Sequence, residues 1–223
     1  MQKTMRTTFL LAIAIAALLL PATPAAAAVV AADTVLVGNG SAAPSGTVDI
    51  PVSIRDVSGT PLGVDQPAGS HIQSYSIKVD YAPASAIQSI TFTRAGITTA
   101  LTPTFESSPS APGTVSLLDT FQESTNPIPF TSNAPAGDQI GVLHVTIAPA
   151  AVPGTAVALT LDATLTQLTD QSGSGATKET VAAGNLTLVN GLVTVSGPIP
   201  TLSTWALLLL AASLSFVALR MRS

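Results

Sequence analysis

Two histidines, His71 and His144, are the only imidazoles in the 223 residues, and cysteine is absent. A hydroxyl or thiol nucleophile needs a base within reach, and neither histidine stands in a pattern that supplies one. The chain has no Gly-x-Ser-x-Gly elbow, no His-Glu-x-x-His pair and no glycine loop of the kind that cradles phosphate. Ser174 lies between Gly173 and Gly175, which reads as a flexible turn. His144 falls on the polar side of an alternating stretch, and His71 follows Gly69 and Ser70 in a loop. Paired carboxylates could hydrolyse a glycosidic bond, and Asp80, Asp119, Glu123 and Asp170 are the more suggestive ones. Scattered as they are, they read as acidic surface, which leaves a glycosidase as the third functional reading. Asp170-Gln171-Ser172-Gly173 lacks the alternating Asp/Asn ligands of an EF-hand loop, so no metal ligand is assigned, nor any cofactor.

The segments that must position these side chains read as strands. Val48, Ile50, Val52 and Ile54 alternate with Thr47, Asp49, Pro51 and Ser53. Tyr75, Ile77, Val79 and Tyr81 alternate with Ser74, Ser76, Lys78 and Asp80. Leu143, Val145 and Ile147 form a third set, and Val157, Leu159 and Leu161 a fourth. Period two marks a strand with one buried face. Further runs are 35–37, 87–93, 101–105, 115–120, 186–189 and 192–195. Turn chemistry separates them, as at Pro44-Ser45-Gly46, Gly59-Thr60-Pro61 and Pro153-Gly154. No internal stretch keeps a helical period. About nine short strands with frequent turns predict an all-β antiparallel sandwich. Pro51 predicts an edge or a bulge, because proline removes a ladder donor.

Both ends are hydrophobic. Lys3 and Arg6 precede an apolar stretch from Phe9 to Leu20, and Pro21 and a run of alanines follow. This is the layout of a signal peptide cut by signal peptidase, with cleavage expected between Ala26 and Ala32. At the other end Leu202 to Leu219 would make about 27 Å of helix, marginal against a bilayer core of about 30 Å. Trp205 suits a membrane interface, and Arg220 and Arg222 suit the cytoplasmic side. The expected organisation is a signal peptide over 1–32, a sandwich domain over 33–197 and a tail with a transmembrane helix over 198–223. All twelve acidic residues lie between Asp33 and Glu179, with only Arg55, Lys78, Arg94 and Lys178 among them. The exported part therefore carries 4 − 12 = −8, against −4 for the whole chain. Such a surface repels phosphate backbones, which argues against nucleic acid as a partner. Without disulfides, the exported domain must be held by its core.

Two resemblances can be placed on these residues. Ile199, Pro200, Thr201, Leu202, Ser203 and Trp205, followed by the apolar run and Arg220 and Arg222, resemble the IPTL-CTERM sorting signal of Gram-negative bacteria. Where that family usually has an acidic residue, this chain has Thr204. The resemblance implies an exosortase-like processing enzyme as partner. It also implies transient anchoring in the inner membrane, then delivery to the cell envelope, outer surface or exterior. The middle is similar to a cohesin domain in Pro44-Ser45-Gly46-Thr47-Val48, in Ile72 to Ile97 with Tyr81-Ala82-Pro83, and in Leu168-Thr169-Asp170 with the close Asn190 to Val195. It departs by an insertion near Leu62 to Ser70 and a proline-rich stretch near Asn126 to Pro135. That similarity implies a nine-stranded jelly-roll sandwich and a binding role.

The combined expectation is a non-enzymatic exported module for adhesion or scaffolding through protein contacts. The alternative is a polysaccharide-binding module within an exopolysaccharide matrix. The exported part has no tryptophan, and Tyr75 and Tyr81 share a face with Ile77 and Val79, which reads as core. The polar side of that strand, Ser74, Ser76, Lys78 and Asp80, joined by Ser116, is the candidate binding face.

Overall fold

The computed structural model describes residues 31–131, 135–170 and 176–197. Ser174, the sorting tail with its apolar helix, and all but the last two residues of the signal segment lie outside the described residues. No helix among the described residues is long and apolar enough to cross a membrane.

The alternating runs become strands, fourteen among the described residues, in two sheets. One sheet has the order β13 (Leu186–Val189), β1 (Asp33–Val37), β3 (Thr47–Arg55), β9 (Asp138–Ile147), β5 (Ile87–Arg94). The other runs β12 (Lys178–Thr180), β11 (Gln167–Thr169), β4 (Ser74–Ala82), β10 (Ala156–Leu161), β14 (Gly191–Val195), β2 (Asn39–Ala42). Along the remaining edge of β4 lies β8 (Thr114–Thr120), which also pairs with β6 (Phe105–Ser107) and β7 (Ser110–Ala111). The architecture is an all-β sandwich, with only two short 3-10 turns, Ala84–Ala86 and Gly96–Thr98, among the described residues.

The inward residues are those the period picks out. Ile50, Val52 and Ile54 of β3, Leu143, Val145 and Ile147 of β9, and Phe92 of β5 are buried on one side. Tyr75, Ile77, Val79, Val115, Leu117, Val157 and Leu159 are buried on the other. Each large aliphatic or aromatic group withdrawn from water contributes about 1.5–3 kcal/mol, and this layer holds the domain without a crosslink.

The short strands β2, β7, β11 and β12 lie outside the expected runs, and two further details depart from them. Residues 101–104 are not a strand, and only Phe105 of that run enters β6. Pro103 has no N–H to give to a ladder, and Leu101 N closes on Thr98 O at 3.1 Å. Pro51 lies inside the central strand β3, opposite Val142 of β9, rather than on an edge strand. Its carbonyl accepts from Gly38 N at 2.8 Å, so its nitrogen faces the point where the chain leaves β1, and a register shift follows between Val52 and Ser53.

At Gly38 the chain passes from one sheet to the other. The C-terminal strands do the same at Asn190, because β1 pairs in parallel with β13 and β2 in parallel with β14. The crossing is tight: a Cβ on Gly191 would meet Gly38 O and the Val37 side chain and carbonyl. Gly191→Ala is expected to lower unfolding stability by about 1–3 kcal/mol, read by chemical denaturation.

Asp119 is fully buried on β8 and accepts the Tyr75 hydroxyl at 2.7 Å. Burial, opposed in part by that hydrogen bond, pushes its carboxyl from 3.8 up to about 6. A raised acid binds its proton more tightly when folded. Its contribution is therefore complete below about pH 4 and lost as pH rises through about 6. Asp119→Asn keeps an acceptor for Tyr75 and should flatten the melting temperature between about pH 4 and pH 7. An unchanged slope would mean that Asp119 does not set this pH dependence.

Candidate binding face

Strand β4 alternates strictly, with Tyr75, Ile77, Val79 and Tyr81 inward and Ser74, Ser76, Lys78 and Asp80 outward. On β8 the same alternation turns Thr114, Ser116, Leu118 and Thr120 outward. Opposed residues of a ladder share a face, so the register assembles rows across the sheet. One row is Phe105, Thr120, Ser74, Thr169 and Lys178, spanning five strands. The next is Ser107, Leu118, Ser76, Gln167 and Thr180. A third brings Ser116 beside Lys78, and a fourth brings Thr114 beside Asp80 and Thr160. The structure thus places all five sequence-derived face residues on one outer surface. It adds Phe105, Thr120, Gln167, Thr169 and Lys178.

Internal contacts constrain that surface. Ser74 Oγ reaches Asp119 O and Thr120 Oγ1, each at 2.9 Å, and Ser76 Oγ donates to Leu165 O at 3.0 Å. Lys78 Nζ meets Asp162 Oδ2 at 2.9 Å and Asp80 Oδ1 at 3.3 Å. The hydrogen bond to Asp162 holds the Lys78 ammonium above its ordinary pKa, and the same bond holds Asp162 below its own. The face is thus nearly neutral at its centre and rich in hydroxyls. Ser74, Thr120, Gln167, Thr169 and Lys178 line a cleft of about 260 Å³. Two apolar side chains project nearby: Phe105 is 54% exposed and Leu165 50%. Sequence alternation could find β8, but β11 and β12 are three residues each and too short to show a period.

The carboxylates considered for hydrolysis have separate partners. Asp80 pairs with Lys78, Asp119 with Tyr75, and Asp170 Oδ2 accepts from Thr177 N at 3.1 Å. Glu123 accepts from Gly69 N and pairs with His71 Nδ1 at 2.8 Å. On the opposite sheet His144 Nδ1 meets Asp49 Oδ1 at 2.7 Å, and Nε2 meets Thr93 Oγ1 at 2.9 Å. This line of hydroxyl, imidazole and carboxylate resembles a nucleophile relay in its order. It lies on an open strand surface, where the Asp49 side chain is 66% exposed and that of His144 46%. Water competes for every member there, and the line serves to tie three strands together. Tyr75 and Tyr81 are buried, as the alternation predicts.

The comparisons with known proteins bear on both parts of the chain. The IPTL-CTERM motif matches residues 198–223. No curated protein matches the chain. Among solved structures, the seventh ScaB type I cohesin from Pseudobacteroides cellulosolvens superposes with a TM-score of 0.51 at 17% identity, covering 76% of this chain and 95% of its own. CaCohA2 from Clostridium acetobutylicum gives 0.51 at 21% identity, covering 77% and 95%. A type I cohesin–dockerin complex from Clostridium thermocellum gives 0.51 at 16% identity, covering 77% and 98%. At these identities the likeness speaks for the fold. The described domain has a cohesin-like fold, and the chain ends in an IPTL-CTERM motif.

Proposed function

We propose that this chain is an exported, non-catalytic binding module, sorted to the envelope of a Gram-negative bacterium by its tail. Its partner is a protein at the surface or in the matrix, held on the outer face of the larger sheet. The observation that carries this reading is the set of register-aligned outward rows. They make a continuous polar plate, with hydroxyl and amide groups across five strands and apolar Phe105 and Leu165 projecting beside it. A face with an apolar anchor and a polar surround is how protein interfaces are built. The cohesin-like fold supports a protein partner, since a similar solved structure is a cohesin–dockerin complex. The IPTL-CTERM match supports export and sorting, with signal peptidase at one end and an exosortase-like enzyme at the other.

Phe105 also favours a second reading. An exposed ring beside hydroxyl rows could stack on a pyranose and make the module a polysaccharide binder.

Two experiments test these readings. Mature protein is to be offered to a glycan array and to envelope extract, alongside Ser116→Arg, Phe105→Ala and, as a control on the other sheet, His144→Ala. Protein capture that falls at least about tenfold with Ser116→Arg and persists with His144→Ala is expected, a loss of about 1.4 kcal/mol or more. Glycan binding without protein capture would transfer the assignment to the second reading. For the tail, mass spectrometry of the delivered protein is expected to find the chain ending before or near Trp205. Arg222 retained on that form would make the tail a permanent anchor.

A further inference from the structure

Two acids point inward where the sandwich calls for apolar side chains. Asp33 opens β1 in one sheet, Glu179 is the middle residue of β12 in the other, and both are 0% exposed. They brace the same turn after β3. Asp33 Oδ1 accepts from Val57 N at 2.7 Å, and Glu179 Oε1 accepts from Leu62 N at 2.9 Å. Between these points the Thr60 hydroxyl contacts the carbonyls of Val57 and Leu62. The circle closes through Asn185, whose carbonyl accepts from Asp33 N at 3.0 Å and whose Oδ1 accepts from Thr180 N at 2.8 Å. The two carboxyl groups thus enter this ring from opposite sheets and hold the two ends of one short turn. Their second oxygens, Asp33 Oδ2 and Glu179 Oε2, meet no hydrogen-bond donor.

Two carboxylates in that position cannot both keep their charge at neutral pH, because neither offers a proton to the other and water is excluded. The groups around them do not supply the missing charge. Asp56, itself 3% exposed, adds repulsion from the turn, and Asp65 and Asp138 stand behind it with His71. Lys178 and Thr180 flank Glu179 but alternate away from it, and Arg55, which has interactions of its own, stands opposite Thr34 in the ladder. Among the described residues no three His, Cys, Asp or Glu side chains are placed to hold a metal ion. A single proton held between the two acids removes one of the two buried charges and gives an unpartnered oxygen a donor.

We infer that Asp33 and Glu179 form a proton-sharing clasp that ties the N-terminal strand of one sheet to β12 of the other and opens when alkaline pH removes the proton. Burial first, and then the hydrogen bond to Glu179, push the Asp33 carboxyl up to about 9, and burial also raises Glu179. A raised acid stabilises the fold while protonated, and that contribution is lost as pH rises through the folded value. β12 is an edge strand of three residues that pairs, among the described residues, with β11 alone, so opening the clasp releases the end of the outer face that carries Lys178. The clasp does not depend on what that face binds.

Thermal unfolding of the full chain in detergent tests it, from about pH 7 to about pH 10, where Asp119 is already ionised. The wild-type melting temperature is expected to fall by several degrees across that range. Asp33→Asn, whose amide donates to Glu179 at every pH, should abolish the fall and unfold above wild type at the alkaline end. Infrared spectra of wild type at pH 8 provide a readout that needs no variant, and should retain a protonated carboxyl band. A flat wild-type profile or a missing band would overturn the clasp. So would calcium raising the wild-type but not the Asp33→Asn melting temperature at pH 7.5, because an ion would then fill the place assigned to the proton.

Discussion

Tyr75, Ile77 and Val79 press against a layer that Ile50, Val52, Leu143 and Val145 build from the facing sheet. Everything else in the domain depends on that contact. With no cysteine, burial is the main force between the sheets, and burial requires that every second residue of each long strand be apolar. The same requirement releases the other half of each strand to face water. The outer plate of Ser74, Ser76, Lys78, Thr120 and Thr169 is therefore the reverse side of the core, aligned by the registers that align the core.

The strand crossing at Gly38 and Asn190 follows from the same constraint. Two sheets that share one apolar layer are joined most economically when the terminal strands serve both. β1 and β2 do this at the start of the described domain, and β13 and β14 at its close. The parallel pairings lock the first two and last two described strands side by side. Proline at position 51 and glycine at 38 and 191 suit this crossing, where a backbone donor is dispensable and a Cβ would collide. Read alone, Pro51 suggests an edge or a bulge, and a register shift does follow one residue on. In the fold it sits in a central strand at a place with the properties of an edge.

The long strands were legible because sustained alternation marks a strand with one side in the core and the other in water. β4 and β8 could be read in this way, and so could the five face residues proposed from them. β11 and β12 could not, because three residues carry no period, and they supply Gln167, Thr169 and Lys178 to the face. Phe105 belonged to a run expected as strand, but Pro103 breaks that run, and nothing in sequence told that the ring would stay exposed. Asp33, Asp119 and Glu179 were hidden for the opposite reason. An acid at an inward position looks like a surface residue until its backbone and hydroxyl donors are seen.

The central claim is that the outer face of the larger sheet meets the partner. Photo-crosslinking in the producing cell tests this directly, with a photoreactive residue at Ser116 in one strain and at His144 in another. A discrete protein adduct from position 116 and none from 144 is the predicted result. An adduct from 144 alone would place the contact on the opposite sheet and contradict the claim.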